Sequence, residues 1–241
     1  MPGDNEAMPV LRQGISVTDA IARRQSVRQF TSRPVAESDI RDLLDLAGRS
    51  PSGGNLQPWE VHAVAGDVRE TLRERVNAKI AAGNRGEETA MNVYPRGLWE
   101  PFKSRRHEAG TERYAALGFF DKDPVGLKTL TEMNTAFFGA PVGLFFCISN
   151  RMEPHQWCDT GMFMQNVMLL AVERGLDTCP QAFWTNWSAT VRDLLSLPAE
   201  TILIAGMALG YRDEDHAINR YRTARSDLAS YAHFHGFADG S

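Results

Sequence analysis

What the chain lacks narrows its function before anything in it is read. Only three cysteines, Cys147, Cys158 and Cys179, occur in 241 residues. They are odd in number and form no C-x-x-C pair, which speaks against a disulfide framework and against a structural zinc site. No H-E-x-x-H is present, and His233 and His235 stand in a polar tail where histidines are ordinarily solvated. Neither G-x-G-x-x-G between a strand and a helix nor G-x-x-x-x-G-K-[ST] occurs, so no dedicated dinucleotide domain or nucleotide-triphosphate loop is expected. Positive charge is in deficit, 26 Lys and Arg against 30 Asp and Glu for a net charge of -4, which argues against non-specific nucleic-acid binding. The opening "MPGDNEAMPV" offers Asp, Glu, Gly and Pro where a signal peptide needs a basic start and an apolar run. A cytoplasmic location is therefore expected, with residues 1–14 frayed. There is no internal repeat and no low-complexity segment.

Hydrophobic residues make up 43% and charged residues 23% of the chain, a globular composition that favours one domain over residues 1–241. "SVTDAIARR" reads as a short helix with Ser16 or Thr18 as N-cap, and Arg23 and Arg24 fall at its end. "VAESDIRDLLDLAGRS" spaces Ile40, Leu43, Leu44 and Ala47 helically until Pro51 stops it. "WEVHAVA" alternates as a strand and "DVRETLRERVNAKIAAG" follows as a helix ending at Gly83. Residues 84–135 mix charge, aromatics, Gly and Pro without sustained period. They read as a surface excursion with one helix near "HEAGTERYAALG", and such excursions often form lids over sites. "VGLFFCIS" is a strand buried on both faces. "HQWCDTGMFMQNVMLLAVERG" is a helix apolar on more than one side, hence central, closed by Gly175. A helix "SATVRDLLSL" with Ser188 as its cap, the strand "TILIAGMALGY" and a polar tail complete the order. Strands and helices do not alternate strictly, so an α+β fold with helices around a small sheet is expected.

Four stretches remain. "RRQSVRQF" sets three arginines within six residues on an acidic chain. They either interact with a helix C-terminus, worth ~0.3–1 kcal/mol at an exposed position, or let Arg24, Ser26 and Arg28 form an anion site, since a guanidinium fork and a short hydroxyl suit phosphate oxygens. "SPSGGNLQPWEV" is a turn by composition, yet Asn55 and Gln57 could match the edge of a flat heterocycle. "GLDTCPQAFW" reads as a constrained turn whose backbone N–H groups could face a ligand, and "NRYRTARSDL" returns Arg220, Arg222 and Arg225 late in the chain.

In this order, spread over residues 15–230, the four stretches resemble the FMN-dependent nitroreductase family. The resemblance implies an α+β, nitroreductase-like fold with a central, mostly antiparallel sheet surrounded by helices. It also implies a homodimer with FMN at the subunit interface and NAD(P)H as a transient hydride donor. Arg24 and Ser26, with Gln25 between them, would contact the phosphate or ribityl chain, and Arg28 the pyrimidine edge, where a fixed cation stabilises the negative charge of reduced flavin. Pro51, Ser52, Gly53 and Asn55 would reach the flavin from the other subunit, with Gln57 beside them. Pro180, Gln181 and Ala182 would set a backbone N–H against the ring system, and Arg225 with Arg222 would complete the phosphate site. Gln25 departs from the family, which often has another basic residue there, and Arg222 and Arg225 are spaced more widely than the basic pair of some members. The asparagine and lysine that some relatives supply from an earlier helix would be sought in the helix ending near Lys79.

The implied reaction is ping-pong, two-electron hydride transfer from NAD(P)H to a nitroaromatic or quinone-like acceptor, with chemistry on the flavin and no side chain assigned as general acid. Tyr94, Trp99, Phe102, Arg105, Arg106 and Tyr114 of the excursion are candidates to stack on or pair with substrate, or else to pin the loop to the body. The alternatives are a flavin, quinone or enone reductase or a reductive dehalogenase of the same fold, or a flavin-binding redox module without turnover. Neither membrane nor nucleic acid is an expected partner.

Overall fold

A computed structural model describes residues 14–237, so the stretch expected to fray lies outside the described residues except for Gly14. The elements run α1 (Val17–Arg23), α2 (Glu37–Ala47), β1 (Glu60–Ala65), α3 (Gly66–Ala81), α4 (Phe102–Ala116), α5 (Pro124–Thr135), β2 (Val142–Ser149), α6 (Pro154–Glu173), β3 (Asp177–Gln181), α7 (Ser188–Leu195) and β4 (Thr201–Gly210). Ser16, not Thr18, caps α1, its Oγ accepting from Asp19 N at 3.0 Å. Glu153 opens α6 in a reciprocal capping box with Gln156, so this helix begins just ahead of the expected run. Ser188 is not a cap: α7 starts on it, and its hydroxyl points to the Glu88 carbonyl at 3.5 Å.

The four strands lie in the order β1-β2-β4-β3, every neighbouring pair antiparallel. The fold is α+β, as the element order implied. The sequence reading gave three strands, and the fourth, β3, is the segment "DTCPQ" that was read as a turn. It is short and contains proline, but it is an edge strand, where a missing N–H can face away from the ladder. Its outer side is covered by the chain after α1: Ser26 bridges Thr178 in parallel, and Val27 N donates to Thr178 O at 3.0 Å.

The expectation for β2 holds, since every residue except Ser149 is buried. Alternation divides its side chains between two cores. Phe145 and Cys147 join Trp184, Phe137, Leu72 and Val76 on one face, and Leu144 and Phe146 join Leu43, Phe163, Val167 and Met207 on the other. Gly206 of β4 is required by this packing, because a Cβ there would overlap the Trp184 indole. α6 supplies Phe163, Val167 and Ala171 to the second core, and Trp59 stacks on Phe163 with centroids 4.8 Å apart. Its other side is not buried as expected: Cys158 and Met162 are exposed in the single chain.

The excursion is more ordered than its composition suggested. α4 begins at Phe102, ahead of the expected helix, and α5 was missed altogether. Asp123 caps α5, its Oδ1 accepting from Val125 N at 2.7 Å, and Pro124 takes the first turn. Tyr114 of α4 and Leu130 of α5 are buried with Ile218, with Tyr221 against them, which fastens both helices to the tail. The start of the excursion is latched by Glu87, which accepts from Lys79 Nζ at 2.6 Å and from both Thr190 N and the Thr190 hydroxyl. Among the described residues no helix is long and apolar enough to cross a membrane.

Candidate functional site

Between the end of α1 and Phe30 the chain is extended, which sends Val27 into the core and leaves Arg24, Ser26 and Arg28 on the other side. These three line a cavity of about 450 Å³ together with Gln25 and with Tyr221, Arg222, Thr223 and Arg225 of the tail. Ile21 and Ala22 of α1 and Gln165 of α6 close it. The first and fourth sequence motifs therefore meet in one place, and the third runs along the back of it as β3.

The electrostatics of this cavity are one-sided, since among the described residues no Asp or Glu lines it. Arg28 Nη1 donates to the Tyr221 hydroxyl at 3.0 Å and to Ser26 O at 3.3 Å. Arg222 donates to Ala22 O at 2.9 Å and Arg23 O at 3.0 Å, capping the C-terminal carbonyls of α1. Arg225 donates to Thr223 O at 3.0 Å, the Thr223 hydroxyl at 2.7 Å and Ala224 O at 2.9 Å. Every one of these acceptors is neutral, so the positive charges are oriented without being cancelled. Arg24 makes no side-chain hydrogen bond or ion pair among the described residues. Burial first, then the charges of Arg225 and Arg222, hold its pKa below the ordinary arginine value. Arg212 shows the contrast: it forms a two-pronged pair with Asp177 at 2.6 and 2.5 Å, with its charge matched. Two half-buried guanidinium groups, Arg24 and Arg28, and two exposed ones, Arg222 and Arg225, none paired with a carboxylate among the described residues, stand beside a serine hydroxyl and suit a multiply charged anion with several acceptor oxygens.

Cys179 lies behind this cluster. Burial pushes its thiol up, against the opposite pull of Arg28, Arg113 and Arg24, so it stays a neutral packing group.

The other expected residues are placed less uniformly. Gln25 reaches the cavity, but its Nε2 is engaged with Asn219 O at 2.8 Å. Gln181 is 2% exposed and its side chain is used internally, donating to Asn134 O at 2.9 Å and accepting from Trp184 Nε1 at 3.3 Å. Pro180 is half-buried and Ala182 exposed, and none of residues 180–182 lines the arginine cavity. Pro51, Ser52, Gly53, Asn55 and Gln57 do not line the arginine cavity at all. They form a separate loop seated on α6, where Gly53 N donates to buried Asp159 at 3.1 Å and Asn166 Nδ2 to Ser50 Oγ at 2.7 Å. The loop is stiffened by Gln57 N donating to Ser52 Oγ at 3.0 Å, and Asn55 and Gln57 stand at φ 55° and 48° in the left-handed region. Lys79 is committed to Glu87 and Thr190 at 2.6 and 2.7 Å and does not reach the cavity.

Of the six candidate substrate residues, Arg105 alone lines a second cavity, of about 400 Å³, with Glu108, Ala109 and Glu112 of the excursion and residues 223–226 of the tail. Arg106 lies over the Tyr94 ring at 4.2 Å, and Trp99 packs edge-on against Phe102 at 5.3 Å. Tyr114, at 8% exposure, is a core residue of the excursion and is not offered to a substrate. Five residues that line the first cavity were not expected from the sequence: Ile21, Ala22, Gln165, Tyr221 and Thr223. Tyr221 sits inside the quoted "NRYRTARSDL", masked by its arginines. Gln165 left a signal in being, with Asn166, the polar break in an apolar helix.

The sequence profile described as the Nitroreductase family matches residues 21–211. The chain is 34% identical over 218 residues to a 4-nitrobenzoate reductase of Pseudomonas putida, covering 90% of this chain and 94% of that one. It is 33% identical over 218 residues to a chloronitrobenzene nitroreductase of Comamonas testosteroni, covering 90% and 96%. The crystal structure of the FMN and NADPH-dependent nitroreductase NfnB from Sphigopyxis sp. strain HMH superposes with a TM-score of 0.90 at 43% identity, over 92% of this chain and all of that one (100%). With the profile spanning most of the chain, and these relatives matched over nearly their whole length, the chain belongs to the nitroreductase family.

Proposed function

We propose that the chain is an FMN-dependent NAD(P)H nitroreductase that reduces nitroaromatic compounds, working in the cytoplasm as a single-domain protomer of a homodimer. The observation that carries this reading is the arginine cavity without a carboxylate. Its donors fit the phosphate end of FMN by number and charge, and the same set would repel a cation. Arg24, Ser26 and Arg225 hold the phosphate, with Arg222 adding charge while it caps α1. Arg28 is the fixed cation for the pyrimidine edge, and the backbone of residues 180–182 faces the ring system. Bound FMN supplies the two-electron hydride chemistry, with NAD(P)H as donor and a nitro group as acceptor.

The loop carrying Pro51, Ser52, Gly53, Asn55 and Gln57 serves the partner's flavin. Its separation from its own cavity and its stiff, exposed geometry support this. So do Val17, Ile21, Leu56 and Met162, apolar side chains between 41% and 71% exposed in one chain, more than scattered singles would explain. Residues 84–135 form the lid, with Tyr94, Trp99, Phe102, Arg105 and Arg106 as the candidates to select the acceptor.

The test is a visible spectrum of protein reconstituted with FMN and followed without oxygen as NADPH and then 4-nitrobenzoate are added. The flavin band is expected to bleach with the donor and return with the acceptor. Protein that binds no flavin, or a flavin that neither NADPH nor NADH bleaches, would overturn the proposal.

A further inference from the structure

Among the described residues, the segment bearing Arg24, Ser26 and Arg28 belongs to no helix and is tied to the sheet at a single bridge, Ser26 to Thr178, with Val27 N donating to Thr178 O at 3.0 Å. A cation carried on so lightly paired a backbone is poorly placed to stabilise charge, because fixed donors act by not having to reorganise. What fixes it lies almost two hundred residues away in sequence. Asn219 is 7% exposed, and its side chain uses its oxygen and both of its amide hydrogens. Oδ1 accepts from Arg28 N at 2.9 Å, and Nδ2 donates to Gln29 O at 2.7 Å and to Asp213 O at 2.9 Å. Its own carbonyl accepts from Gln25 Nε2 at 2.8 Å. Two residues further on, the Tyr221 hydroxyl holds Arg28 Nη1 at 3.0 Å.

We propose that Asn219 and Tyr221 are the positioning pair of the cationic segment, Asn219 fixing its backbone and Tyr221 aiming the Arg28 guanidinium, so that both FMN affinity and the midpoint potential of bound FMN depend on them. The inference rests on the FMN reading above. Its chemical point is neutrality. The phenol orients the guanidinium and the amide its backbone, and both leave the charge undiminished, whereas a carboxylate would orient the guanidinium and cancel it, as Asp177 does for Arg212. Asparagine is also specific here. Aspartate would set a carboxylate oxygen against the Gln29 and Asp213 carbonyls, and an apolar residue would leave Arg28 N and Asp213 O without these partners and Gln29 O with Asp213 N alone.

The experiment compares wild type with Asn219→Ala, Tyr221→Phe and a control, Val76→Ala, in a buried position of α3 outside the cavity. It measures the FMN dissociation constant by flavin fluorescence, the midpoint potential by reductive titration against a reference dye, and the melting temperature without FMN. Asn219→Ala should raise the dissociation constant about tenfold or more and move the potential to a more negative value. Tyr221→Phe should move the potential the same way with its melting temperature unchanged. Val76→Ala should lower the melting temperature and leave affinity and potential alone. If Asn219→Ala does not fold, Tyr221→Phe decides. Variants that match a flavin-binding wild type in affinity and potential overturn this inference alone, as does a control that shifts both as far as Asn219→Ala. A wild type that binds no FMN overturns the cofactor reading and this inference with it.

Discussion

The arginines of this chain differ less in position than in what they touch. Arg212, held by Asp177 at 2.5 and 2.6 Å, ties β3 to the chain beyond β4 and has no charge to offer a ligand. Arg24 has burial and two like charges against it and, among the described residues, no ion pair or side-chain hydrogen bond to offset them. A group so placed gains most when an anion arrives. Arg24→Ala should therefore weaken FMN binding by about tenfold to a hundredfold, the range for a lost charge-assisted hydrogen bond, and should hardly affect riboflavin, which lacks the phosphate. Titrating both ligands into both proteins checks this. An equal loss for riboflavin would show that Arg24 supports the fold of the cavity and not the phosphate. Arg24 was legible as a candidate anion ligand from its clustering with Ser26 and Arg28 on an acidic chain. The engagement of Gln181 with Asn134 and Trp184 was not, because hydrogen bonds between distant segments leave no local pattern.

At the scale of elements, the sequence was readable where a cap or a period stood clear. Ser16 before α1, the helical spacing of Ile40, Leu43 and Ala47, and the apolar run of β2 all led to the right element. β3 failed because five residues with an aspartate and a proline resemble a turn, and only the tertiary setting, an edge covered by residues 26–27, makes them a strand. α5 failed because the charged, aromatic stretch before it hid the Asp123-Pro124 start. The excursion these helices belong to depends on the Glu87 latch. Burial pushes the Glu87 carboxyl up, but hydrogen bonds from Lys79 and Thr190 outweigh this and hold it below the ordinary glutamate value of 4.5. A carboxylate lowered on folding stabilises fully above its unfolded value and loses that contribution as pH falls through the folded one. Hydrogen exchange across residues 84–101 should thus stay slow at neutral pH and accelerate, beyond its intrinsic change, only in acid below the ordinary glutamate value of 4.5. In Glu87→Gln the protection should be weaker at neutral pH and insensitive to acid. A wild-type latch that survives protonation would contradict this.

For the whole molecule, an α+β class followed from element order alone, while the apposition of residues 24–28 with residues 219–225 did not, since it joins the two ends of the chain. That apposition gathers several positive charges on a protein whose net charge is -4, and the unfolded chain lets them separate again. An anion that binds only the folded form shifts the balance toward it, by about 2.7 kcal/mol at a hundredfold excess over its dissociation constant. The melting temperature should accordingly rise with FMN concentration, and less with riboflavin at the same concentration. A melting temperature indifferent to FMN would contradict this. Inside a cell, newly made chains are sorted by chaperones and proteases according to how much time they spend unfolded. If FMN fills the carboxylate-free cavity, the amount of the protein should follow riboflavin supply, with scarcity lowering abundance as well as occupancy.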